Sequence, residues 1–304
     1  MQIKKVLLLG GGGFVGRSVA AQLVRLGYKV IIPTRYIERA KPLWVLPGVQ
    51  CVQSDIHRLE SLVDLCSKLN KDDVVINLVG ILHDRPAFPY GKLFEKNHVE
   101  LPKKIIAAMK ACGVKRYIHM SALGADSVGP SMYQRSKGDG EDLVKASGLD
   151  WTIFRPSVIF GPDDQFINLF ASLQKYAPVL PLAGAAARFQ PVAVLNVAQA
   201  FVAAITMSST LHQSYDLCGP KTYSLKELVI LAGKKGGRRS WVIPIPRFIG
   251  YVQAFFLEHL PGPTLMSRDN VSSMKVDNVL PQNVKNPLED IFGISPKPIE
   301  SLSK

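Results

Sequence analysis

The sequence predicts an α/β protein with a doubly wound parallel sheet. The first observation is an apolar strand at residues 4–9 that runs through consecutive glycines into a helical pattern. The second is the alternation of β-branched runs with helical patterns as far as residue 155. The third is a hydrophobic content of 47% in 304 residues, which suffices for a large core. Strands that alternate with helices at this spacing are typical of parallel sheets with right-handed crossovers.

The glycines that follow the first strand predict a dinucleotide site. Two registers are present, because Gly11, Gly13 and Gly16 spell G-x-G-x-x-G, while Gly10, Gly13 and Gly16 spell G-x-x-G-x-x-G. In either register, backbone N–H groups and the positive end of a helix dipole would face a pyrophosphate. A glycine-rich connection that binds nothing is the alternative. The residues expected to contact the cofactor here are Gly10, Gly11, Gly12, Gly13, Phe14, Val15 and Gly16.

The other elements of this half follow in order. Strands are predicted at residues 28–32, 49–53, 73–80, 115–120 and 151–155, and Pro33 is expected to end the second one. Helices are predicted at residues 14–26, 59–69, 92–112 and 132–147. We therefore expect a dinucleotide-binding Rossmann domain at residues 1–160.

The alternation loosens beyond residue 161. Helices are predicted at residues 166–176, 196–207 and 248–260, with strand-like runs at residues 191–194 and 213–217. Residues 161–304 are expected to form a smaller, less regular substrate and docking region, of which about 188–217 returns to the Rossmann sheet. The prolines at positions 296 and 298 predict a poorly ordered tail.

Composition limits the classes of partner. The chain has 37 Lys and Arg against 24 Asp and Glu, which favours anionic partners such as nucleotides or acidic lipids. The basic residues show no interleaved aromatic platform, so nucleic-acid binding is not predicted. Neither the cysteines nor the histidines have metal-ligand spacing, and a reducing, cytoplasmic compartment fits the four unpaired cysteines. Because no run approaches roughly 18 apolar residues, the sequence predicts no transmembrane helix.

A second constellation is Tyr133 and Lys137, a Y-x-x-x-K pattern inside a predicted helix. The i, i+4 spacing places the phenol and the ammonium on one helix face. We expect Lys137 to lower the pKa of Tyr133 and so to make it a general acid/base. Ser121 ends the preceding strand, where open α/β sheets bind their ligands, and would hold a substrate oxygen. An ordinary helix whose Tyr and Lys have no chemical role is the alternative.

The end of the second strand bears on cofactor choice. An acidic residue there binds the 2′-hydroxyl of NAD, whereas an arginine suits the 2′-phosphate of NADP. Arg35 occupies this place, and no acid follows until Glu38. NADP(H) is therefore favoured over NAD(H). Asp55, after the third strand, is placed to meet the adenine.

These residues together resemble an extended or atypical short-chain dehydrogenase/reductase. The wider resemblance rests on residues 10–16, 55–56, 77–80, 97, 121, 133, 137 and 155–162. The chain is similar in particular to the dehydrogenase-like accessory subunit of respiratory complex I and its stand-alone bacterial relatives. Residues 31–35, 74–80, 164–168, 191–194 and 260–263 carry that closer likeness. One departure is that Gly10 and Gly11 replace the usual Thr/Ser/Ala-Gly start of the turn.

The resemblance implies a bound NADP(H) and a set of roles. Pyrophosphate would lie on Gly10, Gly13 and Gly16, and the 2′-phosphate on Arg35. The remaining cofactor contacts would come from Asp55, Ile56, Leu78, Val79, Gly80, Lys137 and Pro156. In active members of the superfamily, residues matching Ser121, Tyr133 and Lys137 carry out hydride-linked proton transfer, with Asn97 in support.

Three functions follow as hypotheses. The first is an NADP(H)-dependent reductase or dehydrogenase of a carbonyl or quinone-like substrate, linked to respiratory complex I. The second is a catalytically silent nucleotide-binding accessory or assembly protein, and the third is a sugar-nucleotide epimerase or dehydratase. A basic run at residues 234–239 precedes an apolar stretch at residues 248–260. This region would meet the inner membrane face or a respiratory complex, or would instead cover the substrate cleft.

Overall fold

The computed structural model describes residues 4–238, 240–259 and 266–303. Its centre is a seven-stranded, fully parallel sheet with strand order β11-β6-β5-β4-β1-β2-β3. These strands are β1 (Lys5–Leu9), β2 (Lys29–Thr34), β3 (Val49–Gln53), β4 (Val74–Asn77), β5 (Arg116–Met120), β6 (Asp150–Pro156) and β11 (Gln213–Leu217). The doubly wound α/β fold is confirmed.

The helices cover both faces of this sheet. The α-helices are α1 (Phe14–Arg25), α2 (Leu59–Ser67), α3 (Lys92–Phe94), α4 (Leu101–Cys112), α5 (Met132–Lys145), α6 (Gln165–Tyr176), α7 (Val194–Ala203), α8 (Leu225–Lys235), α9 (Arg247–Glu258), α10 (Arg268–Ser273) and α11 (Pro287–Asp290). A π-helix spans Glu95–Glu100, and 3-10 turns span Ile37–Leu43, Ser208–Thr210 and Ile299–Ser303. Of the helices in the described ranges, none is both long and apolar enough to cross a bilayer.

The alternation of side chains along β1 explains its unbroken apolar sequence. Val6 and Leu8 pack with α1 and α7 on one face of the sheet. Leu7 and Leu9 pack with α2, α4 and α5 on the other face. All four side chains are fully buried, because a parallel sheet with helices on both sides has no solvated face.

The second half carries small two-stranded sheets. They pair β7 (Ile159–Phe160) with β10 (Val192–Ala193), β9 (Arg188–Phe189) with β12 (Tyr223–Ser224), and β8 (Val179–Ala183) with β13 (Trp241–Ile245). Within residues 188–217, β11 joins the main sheet beside β6, and α7 packs on its face. The strands β9 and β10 pair outside the main sheet.

Two strand ends differ from the sequence-based expectation. Pro33 lies within β2, which continues to Thr34. This is tolerated because β1 pairs with β2 only as far as Ile31, so Pro33 has a strand neighbour on the β3 side alone. The fourth strand ends at Asn77 rather than at residue 80, because the Asn77 side-chain oxygen accepts a hydrogen bond from Val79 N at 3.1 Å and turns the chain.

The predicted helix at residues 92–112 is interrupted by the π-helix Glu95–Glu100. Pro102, in the first turn of α4, has no N–H to donate to the His98 carbonyl, so a regular α-helical ladder cannot form there. At Gly140, α5 approaches so closely that an added Cβ would overlap the same carbonyl oxygen. The wider turn therefore lies where α5 docks, and π-segments are frequent at functional sites.

The expectation of a poorly ordered tail is wrong. Lys297 N donates to Asn196 Oδ1 at 2.8 Å, and Asn196 Nδ2 donates to the Ser295 carbonyl at 3.2 Å. Ile299 is buried in the cluster that α6 and α8 form. These contacts hold the segment against α7 and α8 although prolines prevent a regular helix.

Candidate functional site

The glycine turn brings backbone groups together without side chains between them. Gly10 has a φ of +81°, and its carbonyl accepts from Gly13 N at 3.0 Å. A Cβ on Gly16 would overlap that carbonyl oxygen, whereas nothing lies within 4 Å of one on Gly12. Gly13 is the N-cap of α1 and supplies no capping side chain. The N-terminal N–H groups of α1 are thus left for an anionic ligand, as a pyrophosphate cradle requires.

The other predicted cofactor residues surround this turn. Leu78 N donates to the Leu9 carbonyl at 3.0 Å, and a Cβ on Gly10 would lie 3.2 Å from Val79 N. Phe14, at the start of α1, lies against Gly161, where an added Cβ would be 3.1 Å from its ring. Pro156 ends β6 and is buried. The carboxyl ends of β1, β4 and β6 therefore converge on one site, as open α/β sheets require.

A cleft of about 630 Å³ lies beyond the ends of β2 and β3. Its lining residues are Arg35, Gln53, Ser54, Asp55, Arg58, Glu60, Ser61 and Asp64. Arg35 and Asp55 thus line one cleft, while Ile56 packs partly buried against the α2 side of the core, and their contacts with a cofactor stay predictions. Arg58 is a second cation that the motif-based reading missed, because it lies outside the family pattern. Arg58 and Glu60 form an exposed ion pair of 3.8 Å.

Several cations lie close to His57, next to the cleft. Burial lowers the pKa of His57, and the nearby Lys96, Arg35 and Lys104 lower it further, against the opposite effect of Asp55. Lys104 Nζ donates to the His57 carbonyl at 2.9 Å. Arg17 is turned elsewhere, since it forms a 2.9 Å ion pair with Asp163.

Tyr133 and Lys137 lie on α5, which has a fully formed N-terminal cap. Ser131 Oγ accepts from Gln134 N at 3.1 Å, and Gln134 Oε1 accepts from Ser131 N at 3.3 Å. Asp269 of α10 adds a second cap, because its carboxylate accepts from Met132 N at 2.6 Å and from Tyr133 N at 3.0 Å. The sequence gives no signal for this contact, since 136 residues separate Tyr133 from Asp269.

The Lys137 ammonium lies between Gly80 and the end of β5. Its Nζ donates to the Met120 carbonyl at 3.3 Å, next to Ser121, and a Cβ on Gly80 would lie 3.1 Å from it. Burial lowers the pKa of Lys137 to about 8, while Glu141 one turn along α5 opposes that shift. A side chain at position 80 would therefore press on the ammonium and displace it by a few tenths of an ångström.

Tyr133 departs from the expectation drawn from the sequence. Burial raises the pKa of its phenol to about 12, instead of the lowering expected from Lys137. The reason is desolvation of the phenolate, because burial penalises the charged form of the phenol. Tyr133 is therefore a protonated hydroxyl at neutral pH.

Ser121 supplies a polar atom without a protein partner. Its Oγ is buried and has no hydrogen-bond partner among the described residues, although its backbone N donates to the Phe154 carbonyl at 2.8 Å. Buried hydroxyls without partners are rare. The Ser121 hydroxyl is therefore suited to form a hydrogen bond with an oxygen of a bound ligand. Ser121, Lys137 and Gly80 thus meet at one end of the sheet, where Tyr133 is one helical turn before Lys137.

His98 is a site residue that motif reading missed. Its Nε2 accepts from Ile81 N at 3.1 Å, which places the proton on Nδ1, and Nδ1 donates to Ser136 Oγ at 2.8 Å. Its ring packs edge-on against Tyr133, with 5.6 Å between centroids. Asn97, the predicted supporting residue, donates from Nδ2 to the Leu93 carbonyl at 2.8 Å, so its supporting role stays a prediction.

Two further expectations concern other parts of the chain. Arg239 of the basic run and residues 260–263 of the family likeness lie outside the described residues. Among the described ranges, no cluster of three His, Cys, Asp or Glu side chains has the arrangement of a metal site.

Comparison with known proteins agrees with this geometry. The sequence profile of the NAD(P)H-binding family matches residues 10–171, more than half of the chain. A mouse protein, NADH dehydrogenase (ubiquinone) 1 alpha subcomplex subunit 9, is 30% identical over 298 residues, covering 96% of this chain and 77% of the mouse protein. The chain belongs to the NAD(P)H-binding family that includes this complex I subunit. The family resemblance predicted from the sequence is thereby confirmed.

Two other proteins similar to this chain have names that indicate different activities. A ceramide reductase of Caulobacter vibrioides is 28% identical over 199 residues, covering 65% of this chain and 60% of that protein. The structure of a nucleoside-diphosphate-sugar epimerase from Staphylococcus aureus has a TM-score of 0.74 at 19% identity, covering 99% of this chain and all of that one. At this identity the structural likeness shows the fold alone.

Proposed function

We propose that the chain binds NADP(H) and transfers hydride between its nicotinamide and a carbonyl or quinone-like carbon. The observation that carries the proposal is the buried Ser121 hydroxyl beside the helix of Tyr133 and Lys137, since this hydroxyl has no hydrogen-bond partner in the part of the chain that the structure describes. Burying a hydroxyl costs free energy unless the hydroxyl has a hydrogen-bond partner. The oxygen of a bound substrate would supply that partner and would lie within reach of Tyr133.

The glycine turn and the charged cleft fit the two ends of this cofactor. The N–H groups at the start of α1 would hold the pyrophosphate, and Lys137 would hold the nicotinamide ribose. Bound NADPH supplies a hydride to the substrate carbon. Arg35 and Arg58 would bind the 2′-phosphate, and this pair supports NADP(H) over NAD(H).

The proton chemistry follows from burial. Tyr133, with a pKa of about 12, keeps its proton at neutral pH and would donate it to the substrate oxygen during reduction. Lys137, with a pKa of about 8, is charged at pH 7 and would stabilise the phenolate that forms. His98 would keep the Tyr133 ring in place through its edge contact and through Ser136, whose Oγ donates to the Tyr133 carbonyl at 3.0 Å.

Substitution of Tyr133 by phenylalanine tests the reductase. We expect turnover of NADPH with a panel of quinones and apolar carbonyl compounds to fall by about 10²- to 10⁴-fold, because the proton donor is lost. NADPH affinity should stay within about twofold. Tyr176→Phe, at a highly exposed tyrosine, is the matched control. An unchanged turnover in Tyr133→Phe would remove this mechanism.

Substitution of Arg35 and Arg58 by alanine tests the cofactor preference. We expect NADPH to bind about 10- to 100-fold more weakly, because each arginine offers a charged hydrogen bond to the 2′-phosphate. NADH affinity, measured by fluorescence titration of the same variants, is the internal control and should not change. Equal losses for NADH and NADPH would contradict the 2′-phosphate assignment.

A second function is favoured by relationship to the mouse complex I subunit. In that case the chain would hold nucleotide as a structural part of a respiratory assembly, without turnover. Tight NADPH binding, combined with no hydride exchange for any substrate in the panel, would select this role. Sugar-nucleotide epimerases share this fold. An increase in Tm on addition of UDP-sugars in the presence of cofactor would support epimerisation as the function.

A further inference from the structure

Helix α9 packs with its small residues inward and its large apolar residues outward. Ala254 is fully buried, and a Cβ on Gly250 would overlap the Ala183 side chain of β8. The outward residues recur at the helical spacing i, i+1, i+4, i+7 and i+8, which places them on one face. They are Phe248 (71% exposed), Ile249, Val252, Phe255 and Phe256 (65% exposed).

The apolar surface continues from α9 onto the neighbouring strands. Leu182 of β8 and Val242 of β13 face the core under α8. Because side chains alternate across a strand, Val179 and Trp241 point to the opposite side, where Ala183 meets α9. Trp241 is 78% exposed, and Val179 and Ile243 are also exposed. We call this combined face the α9 surface.

The charges around the α9 surface are mostly of one sign. Arg247 is exposed at the start of α9, and Arg238 is exposed beside β13 and donates to the Lys175 carbonyl at 2.8 Å. Glu258 is the single acidic residue between positions 234 and 259 of the sequence. It is already neutralised by Arg268, whose Nε lies 2.9 Å from its carboxylate. The surface therefore offers apolar side chains beside Arg247 and Arg238, which form no ion pair with the described residues.

We propose that the α9 surface lies on an anionic lipid bilayer. A 12-residue helix is about 18 Å long, so α9 would lie along the interface rather than cross it. Its outward aromatic side chains would enter the acyl boundary while Arg247 and Arg238 meet lipid phosphates. A second copy of the chain is a poorer occupant, because it would bring the same cations together. The proposal is independent of turnover at Tyr133.

The test is co-sedimentation of the full chain with phosphatidylcholine vesicles, with and without phosphatidylglycerol. We expect binding only when phosphatidylglycerol is present, with a blue shift of Trp241 fluorescence that Trp241→Phe removes. The double variant Phe248→Ser and Phe256→Ser should partition at least about tenfold more weakly. Arg247→Glu should weaken binding by about fivefold and reduce its salt dependence. Phe88→Ser, at a 92% exposed phenylalanine elsewhere, is the matched control and should bind like the wild type.

The outcomes distinguish a lipid bilayer from a second copy of the chain as the partner of the α9 surface. NADPH affinity and the sedimentation coefficient, measured for every variant, show that each is folded and report any self-association. Absence of binding to phosphatidylglycerol vesicles by the folded wild type would overturn the proposal. Equal binding by the phenylalanine double variant would overturn the assignment to the α9 surface, and equal binding to pure phosphatidylcholine would overturn the role of the cations. A concentration-dependent dimer lost in the double variant would show a second copy as the occupant instead.

Discussion

The nucleotide-binding half and the α9 region place large and small residues in opposite ways. In β1 the large side chains Val6–Leu9 are fully buried, and glycines occur where backbones approach each other. In α9 the small residues Gly250 and Ala254 face the protein, while phenylalanines face solvent. The first arrangement is complete within the chain. The second leaves apolar area uncovered, which points to something outside the chain that covers it.

Gly16 and Gly12 lie in the same turn, and we expect alanine substitution at these two positions to give the largest difference in stability. We expect Gly16→Ala to destabilise the protein by at least about 3 kcal/mol, because its Cβ would overlap the Gly10 carbonyl and the Gly11 backbone, neither of which can move away. Urea denaturation measures the loss, and NADPH binding should disappear with it.

Gly12→Ala is the matched control. Nothing lies within 4 Å of its added Cβ, and Gly12 has no positive φ. We expect its free energy of unfolding to change by less than about 1 kcal/mol, in the stabilising direction. Similar losses for the two variants would mean that the turn is sensitive to any side chain, and the close-approach explanation would be wrong.

Asp269 of α10 contacts the start of α5 and thereby connects the two regions at the candidate site. Asp269→Ala would leave Met132 N and Tyr133 N without their acceptor at the start of α5, so we expect a loss of about 2 kcal/mol. Turnover should fall more than NADPH affinity, because Tyr133 moves while the glycine turn does not. Asp269→Asn, which keeps one acceptor oxygen, should recover part of both.

The control for Asp269 is Asp163→Ala. Asp163 also links the two halves, through Arg17, but its side chain is 67% exposed. Exposed ion pairs contribute roughly 0.5 kcal/mol, so this variant should unfold nearly as the wild type does. If both aspartates gave small losses, the anchoring of α5 by α10 would not matter for the site.

The elements of the fold that depend on local sequence patterns were predictable. The order of strands and helices as far as β6, the glycine turn and the i, i+4 pair on α5 all depend on residues close in sequence. The region of about residues 188–217 was expected to return to the sheet, but the sequence did not indicate which strand it would join. The end of β2 was misjudged, because whether Pro33 is tolerated depends on which neighbouring strand has already ended.

The rest depends on contacts between distant residues. No local pattern links Asp269 to Tyr133 or the tail at Lys297 to Asn196. The pKa of Tyr133 was expected to fall because spacing shows the neighbouring cation but not the burial of both groups. The outward face of α9 carries the larger apolar side chains, so hydropathy alone would place it inside, and only packing shows that Gly250 and Ala254 face the protein.

In the nucleotide-binding half most buried side chains are apolar, and Lys137 is an exception because it is a buried cation. Its pKa of about 8 in the folded chain lies below the ordinary 10.5, so folding disfavours its charge at neutral pH. We expect the free energy of unfolding of Lys137→Met to be about 1 kcal/mol higher than that of the wild type at pH 7, because the desolvation cost of the ammonium is removed while the hydrogen bond from Nζ to the Met120 carbonyl is lost. That advantage should be full below pH 8 and vanish by about pH 10.5, where lysine is neutral in both states. Urea denaturation across this range measures it, with the half-exposed Lys145→Met as control, and a Lys137→Met variant less stable at pH 7 would show that the ammonium stabilises the fold as well as serving the site.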